Sequence, residues 1–298
     1  MRLDGRRESS NVEDRRTPGG GKMAGLAGGA GIIGVIIYLL TTFMGGDGSV
    51  DLGSLVENLG PVISQTISGD GQVSSTGEFT EEEQALATFS RQILASTEDV
   101  WSSVFASMGK TYRNPTLVLY TGATSTRCGQ GQAAMGPFYC SADEKLYIDL
   151  SFFQTMKKQL GADGDFAYAY VIAHEVGHHV EKLMGDLDRE HAAMAKMSTA
   201  AANRRSVRIE LQADFYAGLW GYYEKKMFGS LEDGDLEEAI RCASVIGDDY
   251  LQKKAQGYAV EDSFTHGTAA QRMRWLKKGL TTGDMRQRDT YSISESQL

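Results

Sequence analysis

Cysteine is scarce in this sequence, with three in 298 residues, which excludes a disulfide-dense scaffold. Positive charge is also in short supply, since the formal net charge is −9 at pH 7. We therefore expect no nucleic-acid partner, because binding to a phosphate backbone relies on clustered Lys and Arg. The length is sufficient for one sizeable domain with appendages.

Charge is absent altogether from residues 23–46, although Lys22 and Asp47 flank them. Such an apolar run can cross a bilayer as a helix. It is long for a cleaved signal peptide, and no A-x-A site follows it; a buried core helix is the other alternative. The basic excess before the run favours a cytoplasmic N-terminus. These features predict a single-pass anchor in the cytoplasmic (inner) membrane, with the later domain outside.

Composition predicts the other boundaries. Residues 1–22 are polar and lack an apolar cluster, which predicts a disordered cytoplasmic arm. Residues 47–80 are rich in Gly and Ser and predict a flexible linker. Thr80, followed by Glu83, can cap a helix that opens a folded domain over residues 81–282. A polar, frayed tail is expected at 283–298.

Periodicity predicts a mainly α fold with a small β-sheet (α+β). Residues 115–120 and 145–150 have the pattern of strands, and most of the chain after residue 150 has that of helices. Cys128 and Cys140 bound a Gly-rich loop between the strands. On the outer side of a membrane they predict a disulfide; two free thiols are the alternative. Cys242 is predicted to be a free, buried packing thiol.

Histidine is likewise rare, with five in the chain, yet three lie within six residues. In the pattern H-E-x-x-H, His174 and His178 return to one helix face and can bind one metal ion. Glu175 can reach a water on that ion, as in zinc hydrolases. The alternative is a surface helix with solvated histidines, but the flanks are apolar. His179 lies further round the helix and is predicted to pack, or to support a metal ligand, rather than to bind the metal itself.

The chain lacks the Gly and His that would complete H-E-x-x-H-x-x-G-x-x-H, since Glu181 and Met184 stand at those positions. A carboxylate from a later helix would then supply the third protein ligand. Glu210 and Asp214 share a face of an otherwise apolar helix, where a carboxylate needs a cation or donors. We predict that Glu210 binds zinc and that Asp214 orients a ligating histidine. A surface carboxylate pair is the alternative.

Together these motifs resemble the bacterial putative neutral zinc metallopeptidase family. The resemblance rests on His174-Glu-x-x-His178, on Glu210-Leu-Gln-Ala-Asp214-x-Tyr-Ala-Gly, and on segments 136–140, 147–153, 246–249 and 263–268. It covers nearly the whole chain and implies a zincin-like fold, an N-terminal membrane anchor and peptidase activity. It implies no particular natural substrate.

The predicted function is that of a membrane-anchored zinc metallopeptidase with one Zn²⁺ per chain, held by His174, His178 and Glu210. Glu175 would be the general base, and a peptide or protein substrate could pair with an edge of one of the two predicted strands. A zinc-stabilised binding or assembly module without activity is an alternative, although a structural zinc needs no base beside it. A zinc hydrolase acting on a non-peptide bond is another.

His266 is the last candidate, in a loop before a predicted helix. It could stabilise a developing oxyanion, or it could hold its own loop in place by hydrogen bonds. The sequence leaves both roles open.

Overall fold

The structure, a computed structural model, describes residues 1–18 and 78–298. Most of the described residues are helical, and the α-helices among them are α1 (Glu81–Ser107), α2 (Ser151–Thr155), α3 (Asp165–Met184), α4 (Asp186–Met194), α5 (Thr199–Phe228), α6 (Asp235–Val245), α7 (Asp248–Gln256) and α8 (Ala269–Thr282). The strands are β1 (Val12–Arg15), β2 (Thr116–Tyr120), β3 (Ala123–Thr126), β4 (Gly129–Gln132), β5 (Phe138–Cys140) and β6 (Lys145–Asp149). This arrangement confirms the prediction of a mainly helical protein with a small sheet.

Four strands form the main sheet in the order β1-β2-β6-β5. β1, β2 and β6 run parallel, and β5 pairs antiparallel with β6. β3 and β4 form a separate hairpin. The two strands predicted from the sequence, β2 and β6, each have a neighbour on both sides. The prediction that one of them offers a free edge to a peptide is therefore wrong, and β5 is an edge strand of the described sheet.

Capping and glycine positions explain how the helices begin and pack. The Thr80 hydroxyl accepts the backbone N–H of Glu83, and the Glu83 carboxylate accepts that of Thr80, so α1 starts where predicted. α3 approaches α5 so closely at Gly177 that an added Cβ would lie 2.9 Å from the carbonyl oxygen of Ala213. Only glycine permits this approach, which brings the histidine face of α3 against the carboxylate face of α5.

The predicted disulfide is confirmed between Cys128 and Cys140. It joins the turn of the β3–β4 hairpin to the end of β5, so that a covalent bond links the hairpin to the main sheet. Cys242 is free and buried, also as predicted.

The first eighteen residues are ordered, so the prediction of a disordered arm is wrong for them. β1 pairs with β2 in the main sheet. The Arg6 guanidinium donates to the buried carboxylate of Glu224 at 2.9 Å, and Ser9 donates to buried Glu98 at 2.6 Å. A polar segment becomes ordered here because the folded domain presents buried acceptors that need its donors. Residues 19–22 lie outside the described residues.

The localisation predicted from the sequence also needs correction. No helix within residues 1–18 and 78–298 is long and apolar enough to cross a membrane. The predicted anchor at 23–46 and the predicted linker up to residue 77 lie outside the described residues. The predicted topology fails on a further ground: one span would separate the arm from the domain, whereas β1 of the arm and β2 of the domain are paired in one sheet.

The tail at 283–298 is not frayed. The Arg208 guanidinium on α5 donates to the carbonyl oxygens of Thr290 and Ile293. Leu298 is 4% exposed and packs in the hydrophobic core. A run of polar side chains is held here by its backbone carbonyls, which composition does not reveal.

Candidate metal centre

His174, His178 and Glu210 converge between α3 and α5. The Glu210 carboxylate lies 3.1 Å from His174 Nε2 and 3.6 Å from His178 Nε2. One ligand atom from each of the three residues lies within 4.8 Å of the other two. Donors on a tetrahedral zinc ion are separated by about 3.3 Å, from bond lengths of about 2.0–2.1 Å. The separations in the structure bracket this value.

The other nitrogen of each histidine faces a carboxylate. His174 Nδ1 lies 2.8 Å from Asp214 Oδ1, and His178 Nδ1 lies 2.8 Å from Glu181 Oε2. In the neutral tautomer that donates from Nδ1, each Nε2 lone pair is left for a metal. Two imidazole nitrogens and a carboxylate are a donor set that zinc prefers. The residues present therefore fit the predicted zinc ion.

Asp214 is fixed by more than His174. It is fully buried and accepts two hydrogen bonds from the Arg272 guanidinium, at 2.9 and 3.0 Å, and one from the Tyr170 hydroxyl at 2.6 Å. Burial alone would raise the pKa of Asp214, but Arg272 and His174 outweigh burial and lower that pKa to about 2. The acceptor that orients His174 is thus ionised and held from three directions.

Glu181 and Arg272 are site residues that the sequence analysis missed. Glu181 is fully buried, and burial raises its pKa to about 7 despite the opposing effect of His178. Its spacing of three from His178 was an available signal, because residues three apart meet on a helix face. No local pattern marks Arg272, which reaches Asp214 only through the packing of α8 against α5.

Glu175 lies beside the metal group, buried and lining the same cavity. Burial raises its pKa above the ordinary glutamate value. Glu210 behaves in the opposite way: burial would raise its pKa, but His266 and His178 keep it well below the usual range. The two carboxylates in this site therefore have different proton affinities. The higher affinity suits Glu175 to act as a base, and the lower affinity suits Glu210 to act as a metal ligand.

His266 also lines this cavity. Asp248 Oδ2 accepts the backbone N–H groups of Thr265, His266 and Gly267, and Asp248 Oδ1 lies 3.3 Å from His266 Nδ1. Burial would lower the pKa of His266, but Glu210 and Asp248 raise it to about 9. Asp248 thus holds both the loop and the ring, which lies beside the metal group.

His179 packs, as predicted, and is engaged at both nitrogens. Nε2 lies 2.7 Å from the carbonyl oxygen of Arg113, and Nδ1 lies 2.9 Å from the Tyr139 hydroxyl. Burial lowers its pKa to about 4. This neutral ring joins α3 to the edge strand β5.

A cavity of about 370 Å³ opens onto the metal group. One wall is formed by residues 135–139, which include part of β5. A second wall comes from α2 and the turn that follows it, and a third from the end of α6 and from α7. β5, an edge strand of the described sheet, therefore borders the cavity onto which the metal group opens.

Fold and site together define a mainly helical protein with a small sheet and a His-His-Glu group suited to a metal ion. The model of the family described as putative neutral zinc metallopeptidase matches residues 1–291, and the chain belongs to this family.

Relatives share much of the chain. The chain is 49% identical over 300 residues to the Escherichia coli (strain K12) protein named "Uncharacterized protein YpfJ", covering 99% of this chain and all of the relative. It is 38% identical over 210 residues to the Mycobacterium bovis protein named "Uncharacterized protein Mb2605", covering 67% of this chain and 69% of the relative. No solved structure matches the chain.

Proposed function

We propose that the protein is a zinc-dependent peptidase of the zincin type. The convergence of His174, His178 and Glu210 beside Glu175, in a cavity next to an edge strand, is the observation that carries the proposal. A structural zinc site needs no base and no cavity, so this arrangement favours hydrolysis over a binding module. The family description supports the same activity.

Zinc held by the three ligands would lower the pKa of a water and polarise the scissile carbonyl. Glu175 would take a proton from the attacking water as its oxygen bonds to the carbonyl carbon. The same side chain would then give that proton to the departing amine nitrogen as the C–N bond breaks. The raised pKa of Glu175 makes its carboxylate a stronger base, which suits a group that must accept a proton.

His266 would stabilise the charge that develops on the carbonyl oxygen. Its Nδ1 lies 3.0 Å from the Thr265 hydroxyl oxygen and 3.3 Å from Asp248 Oδ1, so in the protonated ring Nε2 would be the nitrogen free to donate. Preorganised donors of this kind contribute about 2.7–4 kcal/mol to catalysis. His266 can hold its own loop and also play this role. Asp248 contacts the backbone N–H and Nδ1 of His266, whereas the oxyanion would be contacted by Nε2.

The outer edge of β5 would hold the substrate backbone. Phe138 and Tyr139 of β5 line the cavity, and β5 pairs on one side with β6. An extended peptide can add to such an edge as a further strand. The substrate would then be a peptide or an extended segment of a protein.

Substitutions at three carboxylates test the assignment. Glu175→Gln should retain about one zinc per chain and the thermal stability of the wild type, yet lower kcat by about 100-fold to 10,000-fold. Glu210→Gln should lose zinc together with activity, because an amide is a poor zinc ligand. Asp214→Asn should weaken zinc binding by about 10-fold to 100-fold.

Zinc content by atomic absorption and cleavage of a mixed peptide library, with and without chelator, provide the readouts. Full zinc in Glu210→Gln combined with loss in Asp214→Asn would transfer the third-ligand role to Asp214. A wild type that holds zinc and cuts no peptide would refute the peptidase and favour a binding module or a hydrolase of another bond.

A further inference from the structure

The cavity beside the metal group has apolar walls built by separate parts of the chain. They come from the disulfide-closed segment before β5, from α2 and its following turn, from α3, and from the region of α6 and α7. The apolar side chains that line it include Phe138, Phe152, Leu160, Val171, Ile246 and Leu251. Its volume, about 370 Å³, falls at the lower end of the range of about 300–1,000 Å³ typical of ligand pockets.

The charged groups in this cavity are already committed. Arg272 is paired with Asp214, and Asp248 accepts three backbone N–H groups and faces His266. The other charged side chains among the described lining residues are the metal group, Glu175 and His266. None of them is left to pair with a charged substrate side chain.

The neutral polar groups are committed as well. Gln252 donates to the Ser263 hydroxyl at 2.9 Å and accepts the backbone N–H of Val260 at 2.9 Å. Tyr170 donates to Asp214, and Tyr139 contacts His179. A polar side chain entering the cavity would lose its hydration without gaining equivalent partners, which is costly.

We infer that this cavity is the specificity pocket of the enzyme and that it takes a bulky apolar side chain, such as Leu or Phe, flanking the scissile bond. The inference rests on the proposed peptidase function and adds its substrate class. Burying such a side chain is favourable in proportion to the apolar area removed from water. A charged side chain in the same place is excluded because no partner awaits it.

Leu251 is the wall residue best suited to a test. It lies on α7, lines the cavity and is only partly buried, and it is not among the residues assigned to zinc or to proton transfer. Ala255 lies on the same helix, is exposed and does not line the cavity. Leu251→Glu and Leu251→Arg can therefore be compared with the matched controls Ala255→Glu and Ala255→Arg.

The first measurement is the kcat/KM of the zinc-loaded protein on a peptide library. The library varies one position on either side of the scissile bond. The wild type and both Ala255 variants should favour Leu or Phe over Ala by at least about 10-fold, as apolar pockets do, with Asp and Lys lower still. Leu251→Glu should gain cleavage at Lys, and Leu251→Arg at Asp, with loss of the apolar preference. Leu251→Ala, which adds no charge, should reduce the preference for Leu if the charged variants do not fold.

The second measurement does not depend on turnover. In the Glu175→Gln background, the same peptides should bind with the same ranking in titration calorimetry, and Leu251→Ala should lower the affinity for the Leu peptide by about 10-fold. A wild type that cuts peptides without apolar preference, or Leu251 variants with unchanged preference, would overturn the inference and leave the peptidase intact. A wild type that cuts no peptide refutes the proposed function itself.

Discussion

The protein buries carboxylates in two regions, and the two sets differ in what faces them. At the metal centre, Asp214 and Glu181 each hold a histidine whose other nitrogen faces the cavity. Where the arm docks, Glu224 accepts from Arg6, Ser230 and Ser96, and Glu98 accepts from Ser9 and Asn11. Asp214, Glu181 and Glu224 are all fully buried.

Burial of a carboxylate therefore does not by itself indicate chemistry. The donors around Glu224 form a closed set, and their hydrogen bonds to this carboxylate join the arm to α1 and α5. Around Asp214, the hydrogen-bonded groups include His174, whose Nε2 lone pair faces a cavity. A nitrogen that could bind a metal ion thus separates the candidate metal centre from the structural ion pairs at the arm, and substitutions at Arg272 and Arg6 test that distinction.

The largest effect is expected at Arg272. Arg272→Met leaves Asp214 buried without its cation and should lower the free energy of unfolding by about 3–5 kcal/mol. The double variant Arg272→Met/Asp214→Leu removes both charges and should recover most of this loss. Urea denaturation in the presence of chelator measures the folding term without a contribution from metal.

The single and double variants should rank in the opposite order when zinc affinity, rather than stability, is measured. Arg272→Met keeps the carboxylate that orients His174, whereas the double variant lacks it and should bind zinc about 10-fold to 100-fold more weakly than the wild type. Competition with a chromophoric chelator gives both affinities. If the double variant binds zinc as tightly as the wild type, Asp214 is a structural ion pair like those at the arm.

An intermediate effect is expected at the arm. Arg6→Met removes a charged donor from Glu224 and should cost about 1.5–3 kcal/mol of stability. Arg2→Met is its matched control, because Arg2 is exposed and pairs with exposed Glu232; it should cost less than about 1 kcal/mol. Zinc affinity should be unchanged in both, and a loss of zinc in Arg6→Met would couple the two regions.

The smallest effect is a pH dependence of arm docking. Lys145 lowers the pKa of Glu13, and Arg16 lowers the pKa of Asp14, below the ordinary values of 4.5 and 3.8. Because each carboxyl group has a lower pKa in the folded state, its ionised form stabilises the docked arm at pH values above the ordinary pKa. That stability is lost as the pH falls through the folded-state pKa.

Hydrogen exchange of the β1 amides in metal-free protein measures this effect. Protection of β1 should fall relative to the centre of α5 as pH decreases below about 4.5. Glu13→Gln should show part of the loss already at neutral pH. Equal protection of β1 at pH 3.5 and pH 7 would show that these ion pairs do not hold the arm.

Local sequence determined α1 and its capping box, strands β2 and β6, the disulfide and the HExxH helix. Each depends on residues close together in the sequence, the two cysteines being twelve positions apart and the capping and H-E-x-x-H residues only three or four, where spacing fixes geometry. The pairing of α3 with Glu210 and Asp214 was also within reach, because buried carboxylates on an apolar helix need a cation or donors.

Tertiary structure alone decided the rest. β1 and β5 are short strands whose composition carries little periodicity, and their neighbours in the sheet make them strands. Arg272 becomes a site residue because α8 packs on α5, where added Cβ atoms at Gly218 and Gly279 would lie 2.2 Å from backbone oxygens of the facing helix. The arm is ordered because buried carboxylates distant in sequence require its donors. Sequence spacing encodes what one element presents. Partners far apart in the chain, such as Asp214 and Arg272, 58 positions apart, or Arg6 and Glu224, 218 positions apart, are instead chosen by packing and by the cost of leaving a buried charge unpaired.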